Sequence, residues 1–383
     1  MYYLIDLNDN LLPTLFIRRI FAVNILGMAL TELKLSVDKV GESAVFKVDW
    51  ENLAFGKVFT DHMLVMDYEN GTWQDPHILP FQNIPMHPAM SSIHYGQSIF
   101  EGLKAYRHVD GRVSVFRPDM NAKRFNESAE RMCMPQVPED LFVELVRKLV
   151  EVDQAWVSAL EGHSLYIRPY MFATDHWVGI KPSETYKFMI LLSPVGTYYS
   201  ELVRVKIEPY FTRAARGGVG RAKAAGNYGA SLYPAKFAQD QGYHQLVWTD
   251  AKEHKFIEES GTMNILFVID DVLITPSEDE DTILRGVTKR SILELAQHWG
   301  IQVEERKISV EEVINAAKSG RLQDAFGAGT AATLAQFALI GHEGTDYQLP
   351  PVETRQISNR LKEYLSGLKI GQTEDIFNWN YFV

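Results

Sequence analysis

The sequence predicts a mixed α/β protein with two domains, and three observations support this. The chain has 383 residues, a length that favours two domains over one. Strand-like apolar runs alternate with segments of helical periodicity, as expected where helices pack on sheets. Turn-forming residues are concentrated at 193–200 and indicate a boundary. We therefore expect a small α/β domain over 46–192, a linker over 193–203 and a large domain over 204–383.

Residues 1–45 are predicted to be an N-terminal extension. Asp6 and Asp9 do not fit the basic start of a signal peptide or an acid-poor organelle presequence. The most apolar stretch, 11–30, is interrupted by Pro13 and by charged residues, so it falls short of the ~18 apolar residues of a membrane helix. A poorly ordered extension and a start codon assigned upstream of Met28 are the two interpretations. The cytoplasm is the default location.

The composition excludes several kinds of partner. Lys and Arg number 38 against 49 Asp and Glu, a net charge of -11, and an acidic protein repels nucleic acid unless it carries a basic patch. The one dense basic cluster, 213–223, is diluted by Gly and Ala. Cys133 is the only cysteine, which excludes an intrachain disulfide and any Cys-x-x-Cys site. We predict no nucleic acid, membrane or metal partner.

In the first domain, the sequence predicts two hairpins, a helix and two long strands. Asn70-Gly71 and Asp110-Gly111 separate apolar runs, and both positions of such a two-residue turn need positive φ. A helix is predicted to begin at Glu139, after Pro138, with Leu141, Leu145, Leu149 and Trp156 on one face. The two strands are predicted at 165–173 and 186–192.

The second domain is predicted to mix strands and helices throughout. Apolar runs bounded by turn residues predict four strands, at 203–211, 245–249, 265–269 and 272–275. Apolar residues at helical spacing predict three helices, at 288–299, 310–318 and 355–366.

Two glycine-containing turns are candidates for an anion site. The segment from Gly327 to Ala332 matches the Gly-x-Gly-x-x-Ala dinucleotide fingerprint, but only about 50 residues follow it, too few for the rest of that fold. We interpret it as a turn that opens a helix and presents free N–H groups. Gly286-Val287-Thr288 opens a second helix with free N–H groups. A helix capped by its own Thr288 is the alternative for this second segment.

Lys223 is the candidate nucleophile. It is flanked by Ala and Gly within 217–229, and a planar ligand needs bare backbone around the amine that attacks it. A flexible loop with a solvated lysine is the alternative, although Asn227-Tyr228 between glycines is unusual for a linker. Glu258 and Glu259 precede an apolar strand, where one carboxylate can pair with a protonated ring nitrogen. A lysine, phosphate-binding turns and a carboxylate together indicate pyridoxal phosphate.

Seven motifs follow one another along the chain: FGKxFTDHM from Phe55, HY from His94 with FEGLKA from Phe100, SLYIRP from Ser164, KxxGNYG from Lys223, ExGTMN from Glu259, GVT from Gly286 and GxGTA from Gly327. Together they closely resemble the branched-chain amino acid aminotransferases of pyridoxal-phosphate fold type IV. The first three are similar to the longer, eukaryotic-type subgroup. The resemblance extends from about residue 50 to the C-terminus.

The resemblance implies a fold and an activity. The fold would have a small N-terminal α/β domain and a larger C-terminal pseudo-barrel domain, in a homodimer. The enzyme would transfer the amino group of leucine, isoleucine or valine to 2-oxoglutarate, giving branched 2-oxo acids and L-glutamate. D-Amino acid aminotransferase, aminodeoxychorismate lyase and a non-catalytic cofactor-binding protein are the alternatives. The aromatic motifs and length disfavour the first two, and intact Lys223 and Glu259 disfavour the third.

The resemblance also assigns cofactor-binding roles. Lys223 would bond covalently to the cofactor and shuttle a proton between the substrate's α-carbon and the cofactor's C4′. Glu259 would keep the ring nitrogen protonated; strand alternation points Glu258 to the opposite face, and the family's spacing to Asn264 favours Glu259. Tyr228 would bond to the ring oxygen. The phosphate would be bound by Arg124, the amides of Val287 and Thr288, and Thr330.

The same resemblance assigns substrate-binding roles. Thr262 and the Ala331 amide would bind the α-carboxylate, and Arg168 would bind the distal carboxylate of glutamate. Val178 and Ile180 match a loop that the family extends across the dimer interface. The aromatic pocket for the substrate side chain would consist of Phe55, Tyr95, Phe100, Tyr166 and Tyr198. A thiol switch just after the Gly-Thr-Ala is excluded, because Ala332 and Ala335 stand where the longer subgroup often has cysteines.

Overall fold

The computed structural model describes residues 33–197 and 201–383, and its strands form two sheets. The first sheet contains β1 (Ser36–Val37), β2 (His62–Glu69), β3 (Thr72–Trp73), β4 (His77–Pro80), β5 (Ser98–Phe100), β6 (Leu103–Arg107), β7 (Val113–Phe116), β8 (Ser164–Ala173), β9 (Tyr186–Val195) and β19 (Asn380–Phe382). Their order is β1-β4-β2-β9-β8-β6-β7-β19, with β3 beside β2 and β5 beside β8.

The second sheet closes into a barrel. It contains β10 (Val203–Ile207), β11 (Gln245–Thr249), β12 (Ile257–Ser260), β13 (Met263–Ile269), β14 (Val272–Thr275), β15 (Val303–Glu305), β16 (Leu322–Gly329), β17 (Thr333–His342) and β18 (Thr345–Gln348). Because β12 pairs with both β11 and β13, the strands β13-β12-β11-β10-β17-β16 form a complete ring. The expected pseudo-barrel and the mixed α/β class are confirmed.

The α-helices of the described residues cover the two sheets. They are α1 (Ser91–Tyr95), α2 (Pro118–Arg131), α3 (Glu139–Val152), α4 (Ala225–Asp240), α5 (Val287–His298), α6 (Val310–Lys318) and α7 (Gln356–Lys369). Short 3₁₀ turns lie at Ala44–Lys47, Gln154–Trp156 and Val352–Thr354. Helices α2 and α3 bury Phe125 and Phe142 against the first sheet. Helices α5 and α7 pack on the barrel together with Tyr106 and Phe116 of the first sheet, so one core joins the two halves.

Most predicted elements are confirmed to within a few residues, and the differences have local causes. The strand predicted at 203–211 ends at Ile207, because the Glu208 carboxylate accepts hydrogen bonds from the backbone N–H groups of Tyr210 and Phe211 and turns the chain. The two-residue turn is confirmed at Asn70-Gly71, where φ is 54° and 79°. It is wrong at the second hairpin, where the chain turns over residues 108–111 and only Gly111 of the pair has positive φ.

The sheet pairings also bear on the predicted boundaries. Strand β9 continues to Val195 because residues 193–195 pair with residues 164–166, so this part of the predicted linker lies within a strand. At the C-terminal end, the chain passes from α7, which packs on the barrel, to β19, which pairs with β7 of the first sheet. Part of the predicted extension, residues 33–45, contributes β1 and the buried Val45 to the first half. In the portion of the chain that is described, no helix has the length and apolar character to span a membrane.

Candidate active site

A pocket of about 480 Å³ lies between the two halves and collects most of the predicted site residues. The first half contributes Arg124 of α2 and four residues of the predicted substrate pocket: Phe55, Phe100, Tyr166 and Arg168. The barrel half contributes Lys223, Tyr228, Glu259, Thr262, Val287, Thr288, Thr330 and Ala331. These thirteen residues are distant in sequence, and the meeting of the two sheets brings them together.

Lys223 lies at the junction of the two halves, one residue before the N-cap of α4. Its backbone N–H donates to Ser128 Oγ (2.9 Å), and its carbonyl accepts from the N–H of Phe100 (3.1 Å). The side chain is aimed into the pocket, where Nζ donates to Tyr228 Oη at 2.7 Å and lies 4.3 Å from the centre of the Phe100 ring. The alternative of a flexible surface loop is therefore wrong, because hydrogen bonds to both the N–H and the carbonyl of Lys223 fix its backbone.

Glu259, and not Glu258, faces the pocket, as strand alternation predicts. Glu259 Oε1 accepts from the N–H of Leu284 (2.9 Å) and from Asn264 Nδ2 (3.1 Å). Burial raises the pKa of Glu259, an effect that the neighbouring Arg213 guanidinium opposes. Glu258 is also buried, but it accepts from Thr282 Oγ1 (2.6 Å) and does not line the pocket.

Two residues whose side chains contact the Glu259 carboxylate were not predicted. Arg213 Nε lies 2.8 Å from Glu259 Oε2 and pairs with the buried carboxylate; its only signal in the sequence was its place in the basic cluster. Asn264 donates to Leu284 O (2.8 Å) as well as to Glu259, so it connects the carboxylate to the turn before α5. A Cβ on Gly286 would lie 1.8 Å from Asn264 Oδ1. This contact explains the glycine at the N-cap of α5.

Arg124 is held in the pocket wall by a buried carboxylate. Its Nε and Nη2 donate to Glu101 at 2.7 and 2.8 Å, and its Nη1 donates to Arg285 O at 3.0 Å. Burial alone would raise the pKa of Glu101, but the Arg124 guanidinium outweighs this and holds that pKa below its usual value. Glu101 was not predicted, although its place in the FEGLKA motif is a signal that could have identified it.

The two predicted anion-binding turns both reach the pocket, but only one opens a helix. Val287 and Thr288 form the first turn of α5, where N–H groups have no partner within the helix. The prediction of a helix after Gly329 is wrong: Thr330–Ala332 form a turn between the antiparallel strands β16 and β17. Here the glycines let the Met263 side chain pack directly on the backbone, since a Cβ on Gly327 would lie 2.7 Å from Met263 Cε.

Aromatic rings and one arginine form the wall opposite the barrel. The Phe55 and Tyr166 rings meet edge to face at 4.9 Å. Arg168 donates to Tyr166 Oη from Nη2 (2.8 Å) and lies 4.5 Å from the centre of the Phe100 ring. A Cβ on Gly102 would lie 2.4 Å from Tyr166 Oη, so this glycine makes room for the tyrosine. The wall is apolar with one hydroxyl and one cation at its edge.

Three predicted substrate residues lie elsewhere in this chain. Tyr95, Val178 and Ile180 are 43%, 66% and 91% exposed, and none of them lines the pocket. Tyr198 lies outside the described residues.

The fold and the pocket are those of a class IV aminotransferase. The family model described as "Amino-transferase class IV" matches residues 98–335, more than half of the chain. The chain belongs to this family and is a pyridoxal-phosphate-dependent transaminase.

Individual relatives are named more narrowly. Branched-chain-amino-acid aminotransferase 2 of Bacillus subtilis (strain 168) is 44% identical over 337 residues, covering 87% of this chain and 93% of the relative. Branched-chain-amino-acid transaminase 1 of the same strain is 46% identical over 338 residues, covering 87% and 95%. The solved branched-chain amino acid aminotransferase from Escherichia coli matches with a TM-score of 0.67 and 26% identity over 84% of this chain and 98% of its own.

Proposed function

We propose that this transaminase transfers the amino group of leucine, isoleucine or valine to 2-oxoglutarate, giving branched 2-oxo acids and L-glutamate. The observation that carries the proposal is the wall formed by Phe55, Tyr166 and Phe100, which faces Lys223 across one pocket. A branched aliphatic side chain gains free energy by leaving water for such an aromatic surface. The curated relatives, named as branched-chain enzymes, support the same substrates.

The residues of the pocket fit pyridoxal 5′-phosphate. When bound, the cofactor supplies an aldehyde that takes up the amino group and a ring that accepts electrons from the α-carbon. Lys223 Nζ would be the amine that holds the cofactor through this aldehyde, and it would also move the proton at the α-carbon. Glu259 would hold a proton on the ring nitrogen, and Tyr228 Oη would donate to the ring oxygen. Arg124, Thr330 and the N–H groups of Val287 and Thr288 would bind the phosphate.

The two halves of the reaction place different demands on the substrate pocket. Thr262 and the Ala331 N–H bind the α-carboxylate in both. A branched-chain substrate contacts the aromatic faces, whereas glutamate needs a cation for its distal carboxylate. Arg168 fulfils this role, because Tyr166 Oη and the Phe100 ring already hold its guanidinium at the edge of the wall. One pocket thereby accepts both substrates.

We further propose a small and a large domain that are joined within residues 193–203, in a cytoplasmic homodimer. Tyr95, Val178 and Ile180 are exposed in the single chain, and we propose that the partner subunit covers them. In a dimer, these residues and Tyr198 would complete the substrate pocket.

A substrate panel tests the proposed function. The purified holoenzyme is incubated with 2-oxoglutarate and leucine, isoleucine, valine, D-alanine or aminodeoxychorismate. L-Glutamate, and the pyruvate that D-alanine or aminodeoxychorismate would give, are measured together with the cofactor's absorption spectrum. We expect glutamate and a spectral shift with the three branched L-amino acids alone. Turnover confined to D-alanine or aminodeoxychorismate, or a protein that binds the cofactor without reacting, would overturn the proposal.

A further inference from the structure

Two buried lysines lie behind the turn that joins β16 to β17. Lys104 is 7% exposed and Lys369 is 4% exposed. Lys104 Nζ donates to Ala331 O at 2.7 Å, and Lys369 Nζ donates to Thr333 Oγ1 at 2.8 Å. Within residues 33–197 and 201–383, neither ammonium group has a carboxylate partner. Burial lowers the pKa of Lys104 to about 8, and burial together with the charge of Lys104 lowers the pKa of Lys369 to about 7.

A cavity of about 10 Å³ separates the two lysines from the active site. Val287, Thr288 and Thr330 line both this cavity and the active-site pocket, so a single layer of residues lies between the ammonium groups and the proposed phosphate site. The cavity has room for one water molecule at most. The lysines are therefore close enough to act on that layer through their hydrogen bonds and their charge.

The turn held by these lysines has an unfavourable backbone. Thr333 has φ of 60°, which is a genuine outlier for a β-branched residue. Its side chain is hydrogen-bonded by both Lys369 and the Tyr106 hydroxyl. Two features offset part of the cost of burying a charged Lys369: it is the last residue of α7, where the helix dipole favours positive charge, and its Nζ lies 4.8 Å from the Phe116 ring centre.

We propose that Lys104 and Lys369 are positioning residues that hold residues 330–333 in the conformation that binds the cofactor's phosphate and the substrate's α-carboxylate. Lys104 anchors the turn from β6 of the first sheet, and Lys369 anchors it from α7 at the C-terminus. The pair also places positive charge behind an anion site in a region of low dielectric, where charge acts over longer distances than in water. This inference rests on the proposed function.

Methionine variants separate this role from a merely structural one. In Lys104→Met and Lys369→Met, a side chain of similar length removes the charge and the hydrogen bond. We expect the dissociation constant of the apoprotein for pyridoxal phosphate, measured by fluorescence quenching, to rise about tenfold in each variant. The melting temperature should stay level or rise, because an unpaired buried ammonium group is costly. A structural lysine would instead lose stability and binding together.

Three further variants serve as controls. Lys148→Met removes an exposed lysine of α3 and should change neither quantity. Lys104→Arg keeps a cation and should retain most of the affinity. Thr333→Gly relieves the positive φ, so Lys369→Met should weaken binding less when it is combined with Thr333→Gly than when it is made alone.

The outcomes distinguish the inference from the proposed function. If the wild-type apoprotein does not bind pyridoxal phosphate, the proposed function fails. If it binds and reacts with leucine but both methionine variants bind as tightly as the wild type, the inference alone is overturned. Weaker binding accompanied by a matching loss of melting temperature also overturns it. Should a methionine variant fail to fold, Lys104→Arg decides: affinity lost in this folded, charged variant refutes the role of the cation.

Discussion

Glu101 and Arg124 form a buried, bidentate ion pair at the back of the candidate active site. Arg124 Nε and Nη2 donate to the two oxygens of Glu101 at 2.7 and 2.8 Å. The same carboxylate also accepts from Asn121 Nδ2 (2.7 Å) and from the N–H of Gly102 (3.1 Å). Glu101 Oε2 thus accepts three hydrogen bonds and Oε1 accepts one, and the guanidinium is oriented before any ligand arrives.

Replacing Glu101 should therefore weaken cofactor binding without any change to a residue that contacts the phosphate. In Glu101→Gln, an NH₂ group faces the guanidinium in place of one oxygen, and the charge is lost. Charged hydrogen bonds contribute roughly 1.5–3 kcal/mol each, so we expect at least a tenfold rise in the dissociation constant for pyridoxal phosphate. Glu144→Gln, at an exposed position of α3, is the matched control. Unchanged affinity in Glu101→Gln would show that Arg124 needs no such support.

Lys223→Ala should abolish transamination. The variant keeps the pocket and its phosphate-binding groups, so it should still bind pyridoxal phosphate, but without the covalent bond that gives the holoenzyme its characteristic absorption. Steady-state assays with leucine and the visible spectrum measure both effects. Lys236→Ala removes a solvent-exposed lysine of α4 and should behave as the wild type. Normal turnover by Lys223→Ala would refute the assigned role.

The neighbouring carboxylates of β12 should differ in their effect on catalysis. Glu259→Ala removes the acidic partner proposed for the ring nitrogen, and we expect kcat to fall by at least a hundredfold, within the range of losses seen when one preorganised electrostatic partner is removed. Glu258→Ala removes a buried acceptor of Thr282 Oγ1 and should lower the melting temperature with little effect on kcat. Comparing kcat and melting temperature for the pair checks this assignment, and the reverse order would contradict it.

Lys369 should make the stability of the protein depend on pH. Its pKa is about 7 in the folded state against an ordinary value of 10.5. Between these two pH values the unfolded chain therefore binds more protons than the folded protein, so the free energy of unfolding rises with pH. Melting curves from pH 6 to 10 should show wild type gaining stability relative to Lys369→Met as pH increases above 7. A constant difference between the two proteins would show that Lys369 does not titrate in this range.

Several features of this protein were predictable because they depend on neighbours in the sequence. Alternation along β12 turns Glu259 toward the pocket and Glu258 away from it, and Asn70-Gly71 forms its two-residue turn wherever the flanking strands pair. The helix over 310–318 was also predicted correctly, because the apolar positions that face the core, Val310, Val313, Ile314 and Ala316, lie within nine residues.

Other features needed partners that the sequence does not identify. Glu101 lies 23 positions before Arg124, and Lys104 lies 227 positions before Ala331. Closure of the barrel and the meeting of the two sheets select those partners. The turn after Gly329 shows the same limit: glycines that would suit the start of a helix lie between two strands, because β16 and β17 pair with each other and Met263 packs on the bare backbone. The sequence by itself thus determined the local elements and the order of the motifs. Only the tertiary structure decided which buried charges meet, because sheet pairing joins residues far beyond the reach of local propensity.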